Sequence, residues 1–384
     1  MLRISLDVET KQPVVLARSH FSSNIVFTVD YIPGSALRGA MASRFIEKIG
    51  NPEDNWEKFK TYFCSDMVRF ENIYIADIAD GPKYVFPIPL SSKTCKAYSG
   101  FLWDDEKTGP HHGVSDYLTK NIPDYCPKRK HETPLENITG FYSVPDRDNY
   151  SYTKRVDVKK RFSMHNEIED KTQRTKEGIL YTLEQIEEEQ NFKGSIIFAD
   201  NGIGESFKND VIGKEDEFYL YVGQARSRGM GQIGIKWAFD DSSFDRGFFP
   251  TLEKRFSNFD ENCFSVTLYS DAILVDEYLR CLTSLTSTYL SNILEVELDS
   301  LKTFSTYHIV SGWHSGAHLP KEDDIAITKG SSFIFQYNGD EHEKLVKGLS
   351  TLEKEGIGLR RNEGFGRLVI CDPYHLNMNE LEGK

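Results

Sequence analysis

Apolar positions along the chain follow two periods. Near the N-terminus the run NIVFTV, residues 24–29, is short, apolar and β-branched, and predicts a strand leading into a Pro33-Gly34 turn. Behind the turn, Leu37, Met41 and Phe45 recur at helical spacing, so an amphipathic helix is predicted with Ser35 as N-cap and Arg38 in its first turns. Leu345, Leu349 and Leu352 repeat with the same period, and that pattern stops at Gly356. The apolar FGRLVIC that follows, and QIGIKWAF at 232–239, both read as strands.

Glycine-rich segments precede both of these late strands, and they match each other. GQARSRGMGQI at 223–233 and GLRRNEGFGRL at 358–368 share G-x-x-R-x-x-G-x-G-x followed by Ile or Leu. The aligned positions are Gly223, Arg226, Gly229, Gly231, Ile233 and Gly358, Arg361, Gly364, Gly366, Leu368. Such a repeat predicts two similar domains, each closing with the same loop. GMGQIG within the first copy also fits the dinucleotide expression G-x-G-x-x-G. A dinucleotide site needs strand, loop, helix, so that the pyrophosphate meets a helix N-terminus. The order here is helix, loop, strand, which excludes that fold. Glycine beside arginine instead suits close backbone approach to an anion, with phosphate the obvious chemistry; tight turns with solvated arginines are the plainer alternative. The helix start at Ser35 and Arg38 offers a second phosphate seat, against the alternative of a capped structural helix.

A length of 384 residues accommodates two domains with their own cores. No apolar run approaches the ~18 residues of a membrane helix, and MLRISLDVETKQ has no apolar signal core, so a cytoplasmic protein without membrane contact is expected. The six cysteines lack paired spacing, which predicts reduced thiols. Net charge is −13, from 46 Lys+Arg against 59 Asp+Glu. Free-standing nucleic-acid binders are usually basic. The balance therefore points to local basic loops on a chain whose remaining surface meets protein partners.

YIPGSALRGAMASRF, QRTKEGILYTLEQI with GSIIFAD, and GIGLRRNEGFGRLVI together resemble the RAMP superfamily of CRISPR-associated proteins. More narrowly, the layout and the final loop are similar to the large RAMP subunit of subtype III-D effector complexes, a relative of the subunit that caps the 5′ handle of the guide RNA (crRNA). The resemblance implies an α+β fold of two ferredoxin-like (RRM-like) domains with Gly-rich loops. Residues 1–240 would form the first, with an insertion at about 91–190, and 260–375 the second. It implies an RNA-binding, antiviral role in anchoring the crRNA 5′ handle. Expected partners are other RAMP backbone subunits, the large CRISPR signalling subunit and, indirectly, target RNA.

Carried over residue by residue, the RNA contacts are Ser35, Arg38, Gly223, Arg226, Arg228, Gly229 and Gly231 in the first domain. In the second they are Gly358, Arg360, Arg361, Gly364, Phe365, Gly366 and Arg367. The polar stretch 150–180, basic at its start, corresponds to a thumb-like hairpin with Lys160, Arg161, His165 and Arg174 as contacts; a solvated charged hairpin is the alternative. Cys95, His112, Cys126 and His131 are candidates for a structural zinc, against ordinary thiols and surface histidines. The relatives would have a cysteine knuckle here, but Arg129 stands where a C-x-x-C would place its second cysteine. No enzyme is expected: Asp30 precedes the turn by only two residues, and His165, His308, His314 and His318 show no acid–base spacing. A RAMP endoribonuclease and a protein-only scaffold are the alternatives.

Overall fold

The computed structural model describes residues 2–18, 24–76, 84–104, 109–121, 124–129, 133–144, 150–168, 175–239, 249–259, 262–314 and 319–381. In the N-terminal part these form β1 (Leu2–Thr10), α1 (Gly34–Ile49), β2 (Val68–Phe70), a long hairpin of β3 (Lys160–Ile168) and β4 (Thr175–Ile186), β5 (Asn191–Phe198), α2 (Asn201–Phe207), β6 (Glu217–Tyr221) and β7 (Gln232–Phe239). In the C-terminal part they form β8 (Cys263–Leu268), α3 (Ser287–Leu294), β9 (Leu298–Phe304), a hairpin of β10 (Tyr307–Val310) and β11 (Asp324–Ile327), β12 (Ser332–Tyr337), α4 (His342–Glu355) and β13 (Leu368–Ile370).

Both parts are mixed α/β units on antiparallel sheets. The first sheet runs β6-β7-β1-β5-β2 and the second β9-β12-β8-β13. Without the extra edge strand β6, each has its first strand in the centre, flanked by the fourth and the third, with the second beyond the third. In each unit a helix follows the first strand and another the third, and in the first unit a short helix, Trp56–Phe59, also lies before β2.

Local patterning explains the elements. Ile4, Leu6, Val8 and Thr10 alternate into the core from β1, where α1 lays Leu37, Met41 and Phe45. Leu345 and Leu349 of α4 are buried in the second core, and the helix stops at Gly356, with φ 75°. Two expectations shift. The strand expected over 24–29 is confined to Ile25–Val26, because only these residues pair with β4. Helix α1 begins at Gly34 after Pro33, so Ser35 lies inside the first turn, and the Gly34 N–H donates instead to Asn72 Oδ1 at 2.9 Å. A tertiary neighbour thus does what a local cap would do.

The insertion does not stand apart. Its Phe101, Val114, Ile138 and Tyr142 build a third core with Phe86, Tyr269, Val369, Tyr374 and Met378. Fully buried polar groups cross the same junction: His375 Nδ1 lies 3.1 Å from Asp116 Oδ1, and Thr267 Oγ1 lies 2.7 Å from His375 Nε2. Burial works against the His375 charge, but Asp116 outweighs it and raises the pKa. Nearby, the Glu380 carboxylate accepts the N–H groups of Leu102 (3.1 Å) and Val114 (2.9 Å), and burial pushes it up to about 7.

Both groups have a folded pKa above the unfolded one. Each contributes stability that is complete below its unfolded value, about 4.3 for Glu and 6.5 for His, and lost as pH rises through the folded value. The melting temperature is therefore expected to fall between pH 5 and 8, with a shallower fall in His375→Gln and in Glu380→Gln. Thermal melts across that range check this, and slopes identical to wild type would show that the junction does not carry the dependence.

Candidate nucleic-acid interface

The two matching sequence segments adopt the same backbone path. Positive φ occurs at Gly223 (76°) and Gly358 (78°), at Ala225 (57°) and Arg360 (55°), at Gly229 (77°) and Gly364 (94°), and at Gly231 (90°) and Gly366 (78°). One 3-10 turn follows each non-glycine position, Arg226–Arg228 and Arg361–Glu363. The hydrogen bonds repeat as well. Gln224 N–H donates to Val15 O and Leu359 N–H to Ile273 O, both at 2.9 Å. Gly231 N–H donates to Pro13 O and Gly366 N–H to Asp271 O, both at 2.8 Å. A side chain at the last glycine is impossible, since a Cβ would lie 2.3 Å from Val222 O at Gly231 and 1.8 Å from Ile357 O at Gly366. Gly231 and Gly366 thus serve the turn itself, and the N–H groups of Gly229, Gly231, Gly364 and Gly366 are bonded within the protein.

Surroundings separate the two loops. In the first, Gln224, Arg226, Ser227 and Arg228 are exposed, and the Arg226 guanidinium has no hydrogen bond or ion pair among the described residues; the Arg226 carbonyl accepts the Gly229 N–H at 3.3 Å. Arg228 donates to the Tyr181 hydroxyl and lies over its ring, 5.8 Å from the centroid. The His165 ring is stacked with Tyr181 at 5.4 Å with a 19° interplanar angle. His165 and Tyr181 are cross-strand partners in the β3–β4 hairpin, which rests on the loop through Leu183, Val15 and Met230. An exposed arginine two residues before Arg228, Arg228 over Tyr181 and the Tyr181–His165 pair thus lie along one loop and hairpin, groups suited to phosphate contact and base stacking on a single strand. Tyr181 was not among the expected contacts; its place opposite His165 becomes visible only once the hairpin register is known.

The second loop is turned inward. Glu363, with 8% of its side chain exposed, meets Arg38 (2.7 Å), Lys321 (2.8 Å) and Arg360 (2.6 Å). Burial alone would raise the Glu363 pKa, but Arg38, Arg360 and Lys321 hold it at about 2. Arg360 also pairs with Asp324 at 2.7 Å and lies over the Phe365 ring at 5.0 Å. Arg361 pairs with Asp66 at 2.7 Å, and Arg367 lies 3.7 Å from Glu71. The Glu363 carbonyl reaches the start of α1, where a Cβ on Gly34 would meet it at 2.8 Å. Arg38 and the α1 N-terminus, expected as a phosphate seat, here receive the second loop.

In the arm, β3 and β4 span Lys160–Ile168 and Thr175–Ile186 rather than 150–180. Lys160 is tied to Asp30 and Glu184, and Arg161 to Glu188 at 3.1 Å. Arg174 and His131 lie outside the described residues, as does His318. Cys95, His112 and Cys126 do come together, their sulfur and nitrogen atoms all within 4.8 Å of one another. His112 Nδ1 is 3.1 Å from Cys126 Sγ. Burial lowers the His112 pKa, and Lys128 and Arg129 add to this, favouring the neutral ligand form; burial, with Cys95 adding to it, raises the Cys126 thiol. Arg129 lies over the Tyr98 ring at 5.2 Å.

The RAMP superfamily model matches residues 8–234, more than half of the chain. The chain belongs to the RAMP superfamily. That match spans the first Gly-rich loop and the β3–β4 arm but ends before the second loop. Among solved structures, this RAMP chain is similar to one in the Type III-B Cmr-beta complex bound to cognate target RNA, at 13% identity over 95% of this chain and 96% of that one, with a TM-score of 0.46. A chain of Type III-B Cmr-beta bound to cognate target RNA and AMPPnP is 14% identical over 86% of each chain, with a TM-score of 0.45. One described as an RAMP protein binding different RNA substrates is 8% identical over 96% of this chain and 99% of that one, with a TM-score of 0.34. No curated protein matches the sequence. Among the described residues, no helix is long and apolar enough to cross a membrane.

Proposed function

We propose that this RAMP protein is a non-catalytic, RNA-binding subunit of a type III CRISPR complex, of the III-D kind. Its two units are ferredoxin-like domains, each with a Gly-rich loop between the last helix and the last strand. It holds the 5′ handle of the crRNA and meets neighbouring RAMP subunits and the large signalling subunit. The observation that carries this is the open first loop, where Arg226 and Arg228 stand beside the Tyr181–His165 stack. Arginine on phosphate positions a strand, and rings accept splayed bases.

Cys95, His112 and Cys126 would hold a structural zinc, for which two thiolates and an imidazole are suitable donors. The ion would tie the strand Ser92–Cys95 to the turn beginning at Pro127. A fourth ligand is required, and His131 is the candidate from sequence.

One preparation tests both points. The tagged chain is purified with its assembly from the native host, its small RNA is sequenced and its zinc is measured by mass spectrometry. Discrete RNAs sharing one repeat-derived 5′ end are expected, with about one zinc per chain that Cys126→Ser removes. An intact assembly without RNA would favour the protein-only scaffold. Zinc content unchanged by Cys126→Ser would dismiss the metal site.

A further inference from the structure

The repeat between the two units extends beyond the loops to the arms. In the first unit the β3–β4 hairpin lies between the second and third core strands, and Ile186 at its end bridges to Val14. In the second unit the β10–β11 hairpin occupies the same place, between β9 and β12, and Ile327 at its end bridges to Ala272. Val14 and Ala272 are themselves equivalent, each preceding the residue whose carbonyl receives the loop N–H, Val15 and Ile273. The protein therefore carries two arms, each seated beside a Gly-rich loop.

Their chemistry differs. The first arm begins with Lys159, Lys160 and Arg161 and presents the His165–Tyr181 stack. The second exposes Tyr307 (56%), Ile309 (60%), Trp313 (51%) and Leu319 (61%). Tyr307 and Ile309 alternate with half-buried neighbours and point to one side of β10. Beside them Glu322 and Asp323 are exposed, while Lys321 is committed to Glu363. Phosphate is repelled by such a surface. Tyr307 and Ile309, at alternate positions along β10, and Trp313 beyond them, with the exposed Glu322 and Asp323 beside them, instead fit the apolar centre and charged rim of a protein–protein interface, while Leu319, paired opposite His314, faces the other way.

We propose that the second arm is a protein-docking arm, whose occupant is a neighbouring subunit presenting an apolar patch rimmed by Lys and Arg. This rests on the reading above that the chain works inside an assembly, but not on which loop holds RNA. Opposite charge on the two sides would orient the partner and disfavour RNA at the same place.

The test places the photo-crosslinker p-benzoylphenylalanine at position 307, and in a parallel chain at position 162 on the first arm, within the assembly purified from the native host. From position 307, irradiation is expected to give an adduct with a protein subunit, whose linked peptide is apolar with adjacent Lys or Arg. In a second variant, Ile309→Asp with Trp313→Ser, that subunit should fall at least about tenfold in the purified assembly, with RNA per chain and melting temperature unchanged; both residues are exposed, so the fold should tolerate the changes. Loss of about tenfold corresponds to 1.4 kcal/mol. An RNA adduct from position 307, full retention of the subunit in the double variant, or a chain that purifies with no protein subunit overturns the proposal. An assembly without RNA that still gives the protein adduct overturns the RNA reading and supports the docking arm.

Discussion

Glu363→Ala is expected to lower stability by about 3–5 kcal/mol, the usual cost of removing one partner from a buried ion cluster. Arg38, Lys321 and Arg360 converge on this carboxylate from α1, the second arm and the loop itself. Without it, three cations remain close together in a largely buried site, each desolvated and repelling the others. At roughly 2 °C per kcal/mol for a large domain, the melting temperature should drop by about 6–10 °C. Glu363→Gln keeps the hydrogen-bonding oxygen but not the charge, and should fall between. The depressed carboxylate also sets an acid limit: its contribution is present above the unfolded value near 4.3 and is lost as pH falls toward about 2. Calorimetry at pH 7 and pH 3 checks both statements. An alanine variant that melts with wild type at pH 7 would mean that the joint between the units rests on apolar packing instead.

Binding of single-stranded RNA should respond unequally to the two loops. Tyr181→Ala is expected to weaken affinity by about tenfold or more, since stacking on an aromatic side chain contributes about 1–3 kcal/mol per base. Arg226→Ala should lower the salt slope of binding by about 0.7, one phosphate contact on a single strand. Arg361→Ala should leave both quantities unchanged, because its guanidinium is held by Asp66. Fluorescence anisotropy at several salt concentrations, on the intact assembly or the full chain, separates these outcomes. Equal losses from Arg226→Ala and Arg361→Ala would restore the symmetric grip that the repeat suggests by itself. No loss at Tyr181 or Arg226 would remove the first loop from the RNA path.

That contrast also marks how far the sequence could be read. The helix carrying Leu37, Met41 and Phe45, the helix of Leu345 and Leu349, and the strands after each loop follow from local periodicity, and the structure has them. The N-cap did not follow, because Asn72 supplies the acceptor from 38 residues away. Nor did the seat of the insertion against Tyr269 and Tyr374, since a buried face has the same apolar composition whichever surface it meets. Tyr181 was hidden for a similar reason: one tyrosine among 19 becomes a stacking candidate only when register pairs it with His165 and the loop brings Arg228 over its ring.

The sequence by itself determined the loop conformation twice over. Spacing of Gly223, Gly229 and Gly231, repeated at Gly358, Gly364 and Gly366, demands the same positive φ values and the same close carbonyl approach, which are local and steric. What each loop faces was left to the tertiary structure. The second loop lands on α1, where Arg38, Lys321 and Asp66 neutralise its charges, and the first is left open beside a hairpin that stacks on its arginine. Glycine spacing encodes a backbone path, whereas the fate of an arginine depends on which carboxylate the fold brings within about 4 Å.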